Sequence, residues 1–208
     1  MDRLIYISQQ TQQRSHLDNI QIACEAGCTT IQLRIKNETP QILLQQAFEA
    51  KEICNRFEAQ LFINDHPFIA NAVHAYGVHV GKEDMQVQEA LKTIATHQIV
   101  GATANTFEDI QQHALNGAHY IGLGPFRFTT TKEKLSPVLG LKGYTHILQQ
   151  MKAAQVHLPV YAIGGIMEED ISAILTTGVH GIAVSGLISN ASNPSLIVTR
   201  IRKILQDA

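Results

Sequence analysis

The sequence predicts an α/β fold of the (β/α)8 barrel class (TIM barrel), formed by one domain that spans residues 1–208. The apolar pattern alternates between short strand-like runs and longer helical stretches, which is typical of parallel βα units. Eight such units fit into 208 residues, as expected for a barrel with few insertions. An open doubly wound sheet is the alternative, because the pattern alone does not decide whether the sheet closes.

Eight short apolar runs are the candidate strands, and helical patterns lie between them. In chain order the runs are Leu4–Ser8, Thr30–Arg34, Gln60–Asn64, Val78–Val80, Ile99–Thr103, Tyr120–Gly124, Val160–Ile163 and Gly181–Ser185.

Capping residues mark the ends of several predicted helices. Thr39 places a capping hydroxyl before Pro40 at the first helical position. Thr106 and Asp109 have the spacing of a capping box. A long connection runs from about Pro125 to Gly143, and a loop of that length usually has a function. Three glycines follow helical runs where a left-handed residue is favoured, namely Gly27, Gly117 and Gly178.

Charge and cysteine content narrow the class of protein. A formal net charge of -2 with no run of like charges predicts no nucleic-acid partner and no membrane partner. The N-terminal residues enter a strand-like run directly, and no segment is long enough to span a bilayer. Cys24, Cys28 and Cys54 form an odd, scattered set that suggests reduced thiols rather than a zinc site. We therefore expect a cytoplasmic protein.

The predicted second strand carries two cations towards one end of the barrel. It continues as Gln32-Leu33-Arg34-Ile35-Lys36, and strand alternation sends Gln32, Arg34 and Lys36 to the same side. If that side is the interior, both cations lie at the carboxyl ends of the strands, where barrel enzymes have their active sites. The alternative is a solvated strand end.

Two carboxylates follow neighbouring strands. The third strand runs into Asn64-Asp65, and the fourth into Gly81-Lys82-Glu83-Asp84. Adjacent strand ends are close enough for Asp65 and Asp84 to share one hard cation, and magnesium is usually held by a few carboxylates, waters and substrate phosphates. Helix capping is the alternative for each aspartate, because each precedes a helical run.

Three loops at the same end carry residue types that suit phosphate. The long loop contains the segment Gly124–Lys132, whose hydroxyls and cations match phosphate oxygens. Gly164-Gly165 follows the seventh strand, and Val184-Ser185 ends the eighth. Glycines let backbone N–H groups approach a phosphate, and these two loops form the usual phosphate site of the fold. A polar surface loop is the alternative for the threonine-rich segment.

Other chemistries have little support in the sequence. The ten histidines include no close pair with metal-ligand spacing, and neither a Gly-x-Ser-x-Gly elbow nor a Gly-x-Gly-x-x-Gly motif occurs. Serine hydrolysis and hydride transfer are therefore disfavoured. His79 lies within the fourth strand, where a core histidine with satisfied nitrogens is the expected role.

Seven motifs lie in register at consecutive strand ends. They are Gln32–Lys36, Asn64-Asp65, Gly77–Asp84, Gly124–Lys132, Leu139-Gly140-Leu141, Gly164-Gly165-Ile166 and Val184-Ser185. Together they closely resemble the thiamine phosphate synthase family, and the resemblance covers nearly the whole chain.

The resemblance implies a transferase that joins 4-amino-5-hydroxymethyl-2-methylpyrimidine diphosphate to a thiazole phosphate or its carboxylated form, with release of pyrophosphate. It implies small-molecule substrates and Mg²⁺ as cofactor, held by Asp65 and Asp84. Catalysis would involve Arg34, Lys36, Thr103 and Lys132. The pyrimidine diphosphate would contact Gln32, Leu33, Arg34, Ile35, Lys36, Asn64, Thr103 and Lys132. The thiazole phosphate would contact Thr129, Thr130, Thr131, Gly164, Gly165, Val184 and Ser185.

The chemistry of that reaction fits the residue content. A departing diphosphate carries several negative charges, so the catalyst needs a metal and cations where the charge develops. The nucleophile would be a neutral ring nitrogen with no proton to lose, so no activated serine, cysteine or general base is needed. In the family the pyrimidine ionises to a carbocation before attack, and positioning of the acceptor would supply much of the remaining rate.

Three rival functions stay open at this point. A related thiazole tautomerase has the same fold but lacks the metal aspartates and carries a catalytic histidine after the sixth strand, where this chain has Pro125. A non-catalytic binder of thiamine precursors that regulates a partner is the second rival. The third is an unrelated phosphate-binding barrel, such as an epimerase or an indole-forming enzyme, which rests on fold analogy and does not explain the paired aspartates. Members of the family often form oligomers, so a homo-oligomer is an option that the sequence leaves open.

The chain departs from the family pattern at a few positions. Lys82 replaces a common glutamine, Thr103 a common serine, and Arg127-Phe128 a common aromatic-proline pair. The threonine keeps its hydroxyl, whereas Lys82 and Arg127 are expected to add positive charge near the diphosphate.

Overall fold

Eight parallel strands close into a barrel in the computed structural model, which describes residues 1–82, 84–129 and 136–208. The predicted barrel class is therefore confirmed, and the open sheet is excluded. Pairing of Leu4 with Ile182 joins the first strand to the last and closes the ring. The strands are β1 (Leu4–Ile7), β2 (Thr30–Leu33), β3 (Gln60–Asn64), β4 (Gly77–Val80), β5 (Ile99–Ala104), β6 (Tyr120–Leu123), β7 (Val160–Ile163) and β8 (Gly181–Val184).

Helices cover the outside of the barrel. All eight predicted strands occur, and none of their ends differs from the prediction by more than one residue. Among the described residues, no helix combines the length and the hydrophobicity that a membrane crossing requires. The helices are α1 (His16–Glu25), α2 (Pro40–Arg56), α3 (Pro67–Ala72), α4 (Val87–Thr93), α5 (Phe107–Leu115), α6 (Gly140–Ala153), α7 (Ile171–Leu175), α8 (Gly186–Ser189) and α9 (Pro194–Gln206).

The predicted helix caps are present. The Thr39 side chain accepts a hydrogen bond from Ile42 N–H, and Thr106 and Asp109 form a reciprocal capping box at the start of α5. The three glycines after helices have φ values of 100°, 87° and 96°, which a residue with a Cβ rarely adopts. They are Gly27, Gly117 and Gly178.

The long connection after β6 is shorter than predicted, because α6 begins at Gly140. Leu139 N–H donates to the Pro125 carbonyl at 2.9 Å and Gly140 N–H to the Phe126 carbonyl at 3.1 Å. Gly143 N–H then donates to the Leu139 carbonyl at 3.0 Å, so Gly143 lies in the first turn of the helix. The start of this loop is thereby tied to its end.

Two apolar layers hold the barrel together. The larger layer lies between the strands and the helices and includes Leu4 and Tyr6 of β1. The smaller one fills the barrel interior and includes Ile5 and Ile7 of the same strand, as period-2 alternation requires. The remaining members of the inner layer are Phe62, Tyr120, Tyr161 and Ala183. Inward-pointing residues beyond this inner layer face the mouth at the carboxyl ends of the strands.

Candidate active site

A cavity of about 530 Å³ opens at the carboxyl ends of the strands. It is lined by side chains and backbone from loops on both sides of the barrel, as expected for the substrate end of this fold. The predicted site residues that line it are Gln32, Arg34, Lys36, Asn64, Asp65, Asp84, Thr103, Thr129, Gly164, Gly165, Val184 and Ser185.

Two residues predicted to contact the pyrimidine diphosphate face away from the cavity. Leu33 and Ile35 are 1% and 6% exposed and pack in the layer between strands and helices. The prediction took the whole segment from Gln32 to Lys36, whereas strand alternation gives only every second side chain to the mouth. The side chains of Leu33 and Ile35 therefore do not face the cavity, and a contact of these residues with the pyrimidine diphosphate, which stays a prediction, would use backbone atoms. Thr130, Thr131 and Lys132, also predicted as site residues, lie outside the described residues.

The carboxylates of Asp65 and Asp84 converge next to Gly81. Asp65 Oδ1 accepts a hydrogen bond from Gly81 N–H at 3.0 Å. A Cβ added at Gly81 would lie 2.2 Å from Asp84 Oδ2 and 3.4 Å from Asp65 Oδ1. Lys36 Nζ contacts Asp65 Oδ2 and lies 4.0 Å from Asp84 Oδ2. The two strand-end carboxylates thus share one small region of the cavity, as the sequence predicts.

Helix capping does not explain these aspartates. The N-cap residues of α3 and α4 are His66 and Gln86, and neither helix start is capped by a side chain. Asp65 instead has a φ of 62°, in the left-handed region that is uncommon for residues with a side chain. Local strain of this kind tends to occur at functional sites. Here it accompanies a carboxylate at the mouth of the barrel.

Asp65 is ionised at neutral pH. Burial alone would raise the pKa of its carboxyl, but the hydrogen bond and positive charge of Lys36 lower the pKa below the ordinary value of 3.8. The Gly81 N–H acts in the same direction. The side chain of Asp65 is only 7% exposed, against 35% for Asp84, so the pair offers one sheltered and one accessible carboxylate.

The charge of Asp65 fixes the orientation of two amides. Its carboxylate can only accept, so Asn64 must present Nδ2 to it, and the structure shows this contact. Asn64 Oδ1 then accepts from Gln32 Nε2 at 2.7 Å. Gln32 Oε1 has no protein partner within the described parts of the chain, and Gln32 lines the cavity. This relay leaves a hydrogen-bond acceptor at the wall of the cavity.

Arg34 is anchored through the end of β1. Its backbone N–H donates to Ser8 Oγ at 3.0 Å, and Ser8 Oγ lies 2.9 Å from His16 Nδ1. Burial lowers the pKa of His16, and the charge of Arg34 lowers it further. Ser8 Oγ and a neutral imidazole therefore share a hydrogen bond, which completes a bridge between β1, β2 and α1.

The double glycine after β7 serves both backbone geometry and packing. Gly164 and Gly165 have φ values of 93° and 68°, which favour glycine. A Cβ at Gly164 would lie 2.7 Å from Pro125 Cβ, and one at Gly165 would lie 2.9 Å from the Arg127 carbonyl oxygen. Arg127 N–H also donates to the Gly164 carbonyl at 3.0 Å. The loop after β6 therefore rests directly on the loop after β7.

The two unusual cations are paired away from the cavity. Lys82 Nζ lies 2.9 Å from a carboxylate oxygen of Asp109, and Arg127 donates to Asp170 at 2.8 Å. Neither Lys82 nor Arg127 lines the cavity. The expectation that they add charge beside the diphosphate is therefore wrong, because acidic residues of later elements hold them.

His79 lines the cavity, although the sequence predicts only a core role for it. It is 5% exposed, and both ring nitrogens are hydrogen-bonded, as expected for a satisfied core histidine. It nevertheless lines the cavity and contacts Thr103, one of the predicted site residues. Its inward position in β4 is the only signal of this role in the sequence.

Comparisons with known proteins identify the family of this chain. The family model described as thiamine monophosphate synthase matches residues 4–188. The chain is 47% identical to a thiamine-phosphate synthase of Flavobacterium johnsoniae over 98% of this chain and 96% of that protein. It is 49% identical to one of Bacteroides fragilis over 97% and 98%, respectively.

A solved structure supports the same assignment. Thiamine phosphate pyrophosphorylase from Pyrococcus furiosus superposes with a TM-score of 0.85 and 31% sequence identity, over 99% of this chain and 96% of that chain. Fold and sequence therefore agree that the chain belongs to the thiamine monophosphate synthase family and is a transferase that forms thiamine phosphate.

Proposed function

We propose that the chain condenses 4-amino-5-hydroxymethyl-2-methylpyrimidine diphosphate with the phosphate ester of a methylated hydroxyethylthiazole, assisted by Mg²⁺. The observation that carries the proposal is one cavity lined by two groups of residues whose chemistry suits phosphate or its metal ion. One side holds Asp65 and Asp84 with Arg34 and Lys36, and the other holds Gly164, Gly165 and Ser185. Such a cavity suits a substrate that leaves as pyrophosphate beside an acceptor that carries a phosphate.

The carboxylate pair fits a magnesium ion. Asp65 and Asp84 lie next to Gly81, and the charge of Asp65 is favoured by its surroundings. Two carboxylates with waters and substrate phosphates are a usual ligand set for Mg²⁺. The bound metal would supply positive charge at the phosphate oxygens. Because no third acidic, histidine or cysteine ligand joins the pair within the described residues, we propose that substrate completes the site.

The cations of β2 would act on the leaving group. Arg34 and Lys36 both line the cavity, and the backbone of Arg34 is anchored by Ser8. Preorganised cations stabilise the negative charge that develops on the departing diphosphate. Lys132 and its neighbours Thr130 and Thr131 remain part of the proposal through the family resemblance alone.

The acceptor would be seated by the loops after β7 and β8. Gly164 and Gly165 present backbone to the cavity, and Ser185 stands at the start of the short helix α8. Barrel enzymes frequently bind phosphate between these two loops. Thr129 lines the same cavity, so the loop after β6 would contribute to this site as well.

The test is direct turnover by the purified full chain. We expect thiamine phosphate and pyrophosphate in equal amounts when both substrates and Mg²⁺ are present, and loss of both products when the metal is chelated. Isomerisation of the carboxylated thiazole phosphate without any condensation product would favour the tautomerase and overturn the proposal. Binding of both substrates without turnover would favour the regulatory binder instead.

We also propose that the enzyme works in the cytoplasm. The three cysteines are buried free thiols, which suits a reducing compartment. Immunoblotting of cell fractions with an antibody against the chain would locate it. Recovery of the chain in a compartment that forms disulfides would contradict this assignment.

A further inference from the structure

A chain of three hydrogen-bonded side chains runs from the barrel interior to the cavity. The Tyr120 hydroxyl lies 3.0 Å from His79 Nδ1, and His79 Nε2 lies 3.0 Å from Thr103 Oγ1. The three residues belong to adjacent strands, with Tyr120 on β6, His79 on β4 and Thr103 on β5 between them. Thr103 lines the cavity that the proposed function assigns to the pyrimidine diphosphate.

Two glycines make room for this chain. A Cβ added at Gly101 would lie 2.0 Å from Cζ of the Tyr120 ring. A Cβ added at Gly122 would lie 3.1 Å from Cε1 of His79. The Tyr120 ring occupies the space that a side chain at Gly101 of β5 would fill, and the His79 ring lies against Gly122 of β6 in the same way. The arrangement is thus built into the interior of the barrel.

The direction of the hydrogen bonds follows from the burial of Tyr120. It is 2% exposed, and His79 Nδ1 is its sole hydrogen-bond partner among the residues that the structure describes. Burial raises the pKa of Tyr120, with a smaller contribution from Tyr161, so the hydroxyl keeps its proton. A buried donor without an acceptor is costly, so that proton goes to His79 Nδ1. Nδ1 therefore carries no hydrogen, and the neutral ring carries its hydrogen on Nε2.

His79 determines where the hydroxyl hydrogen of Thr103 can point. The Nε2–H of His79 donates to Thr103 Oγ1, so the hydrogen of Thr103 has to point elsewhere. Within the described residues Thr103 Oγ1 makes no second hydrogen bond, and the open side of this residue is the cavity. We propose that Tyr120 and His79 are positioning residues that make the Thr103 hydroxyl a hydrogen-bond donor to a ring nitrogen of the pyrimidine substrate.

This inference rests on the proposed function for the identity of the ligand, and it adds a specificity rule. Thr103 offers a donor, while the Asp65–Asn64–Gln32 relay leaves Gln32 Oε1 as an acceptor. An aminopyrimidine presents a ring nitrogen that accepts beside an amino group that donates. The corresponding oxo compound presents a ring N–H and a carbonyl oxygen, the reverse pattern. Sites built around such hydrogen bonds discriminate strongly against mismatched analogues.

The kinetic test uses Tyr120→Phe, with Tyr161→Phe as the matched control. Tyr161 belongs to the same interior layer, but its hydroxyl donates to the Asp2 carbonyl at 2.9 Å. We expect Tyr120→Phe to raise the KM for the pyrimidine diphosphate about tenfold. The KM for the thiazole phosphate should not change, and the control should keep both values.

A double mutant separates positioning from a structural role. Thr103→Val removes the hydroxyl on which Tyr120 is proposed to act, so adding Tyr120→Phe to it should cause no further rise in the pyrimidine KM. Additive effects of the two changes would overturn the proposal, because they would show that Tyr120 acts independently of Thr103.

The tautomer can be measured without any substrate. In protein labelled with ¹⁵N-histidine, NMR correlation of the ring nitrogens should show His79 neutral with its hydrogen on Nε2, and this preference should weaken in Tyr120→Phe. A hydrogen on Nδ1, or a doubly protonated ring at neutral pH, would overturn the proposal. Failure of the wild-type chain to form thiamine phosphate would refute the proposed function but would not alter this NMR result.

Discussion

Asp65→Asn tests the proposed metal site with little change in side-chain size. Asparagine keeps an oxygen that can accept the Gly81 N–H, and the variant removes one negative charge. Its new amide NH2 meets two donors, Lys36 Nζ and Asn64 Nδ2, where the carboxylate accepted from both. The Lys36 side chain is 44% exposed and can turn to solvent, whereas the Asn64 amide loses its acceptor. We expect the free energy of unfolding to fall by about 1–2 kcal/mol.

The expected loss of activity is larger than the loss of stability. A unit charge about 4 Å from a cation contributes about 4 kcal/mol at an effective dielectric constant of about 20. Asp84 and water would compensate for part of that loss. We therefore expect kcat to fall by about 10²- to 10³-fold, with a higher magnesium concentration needed for half-maximal rate. The assay is pyrophosphate release during a magnesium titration, with thermal unfolding of the same samples.

Asp109→Asn is the matched control for this experiment. Asp109 also lies at the mouth end of the barrel, but it pairs with Lys82 and caps α5 outside the cavity. Its replacement should destabilise the chain by about 1 kcal/mol and leave the magnesium dependence unchanged. If Asp65→Asn keeps the wild-type kcat and magnesium dependence, the reasoning about the carboxylate pair is wrong.

Three further predictions concern the rest of the mouth. Gly164→Ala places a Cβ on a backbone with a φ of 93° and within 2.7 Å of Pro125 Cβ. It should therefore lower the free energy of unfolding by about 1–3 kcal/mol in chemical denaturation and raise the KM for the thiazole phosphate. An unchanged denaturation midpoint would contradict this prediction. Lys82→Gln should leave kcat/KM within about twofold of wild type, since the half-exposed pair with Asp109 contributes at most about 1 kcal/mol, and a large kinetic defect would mean that Lys82 reaches the substrate. The pKa of His16 is lowered below its ordinary value of 6.5 in the folded chain, so the unfolded chain binds the proton first as pH falls. The free energy of unfolding should therefore decrease below about pH 6.5. His16→Asn should weaken that decrease, as measured by the free energies of unfolding at about pH 7.5 and about pH 5.5. Equal pH dependence in the two proteins would refute the last prediction.

The strands and the carboxylate pair could be predicted because their signals are local. The spacing of apolar residues identifies each strand, and Asp65 and Asp84 follow adjacent parallel strands, Asp65 directly and Asp84 after three intervening residues. Alternation also indicates that the Leu33 side chain points away from the mouth, so that a contact of Leu33 with the substrate would use backbone atoms.

Contacts between distant elements could not be predicted from the sequence alone. Lys82 pairs with a residue 27 positions further along the chain, and Arg127 with one 43 positions away. The role of His79 depends on the register of three strands, which places Tyr120 and Thr103 on either side of its ring. No single-sequence pattern encodes such a register, because each strand specifies its faces but not its offset from its neighbours.

The position of Gly81 has a consequence for how this enzyme tolerates mutation. Gly81 is not among the glycines with positive φ, so alanine is compatible with its backbone. The nearest atom to a Cβ added at Gly81 is Oδ2 of Asp84, at the end of a side chain that can rotate. A deep mutational scan that scores folded protein should therefore rate Gly81→Ala as neutral, whereas a scan that scores growth without thiamine should rate it as damaging. At Gly101 the added atom meets the ring of Tyr120, and both scans should reject alanine there.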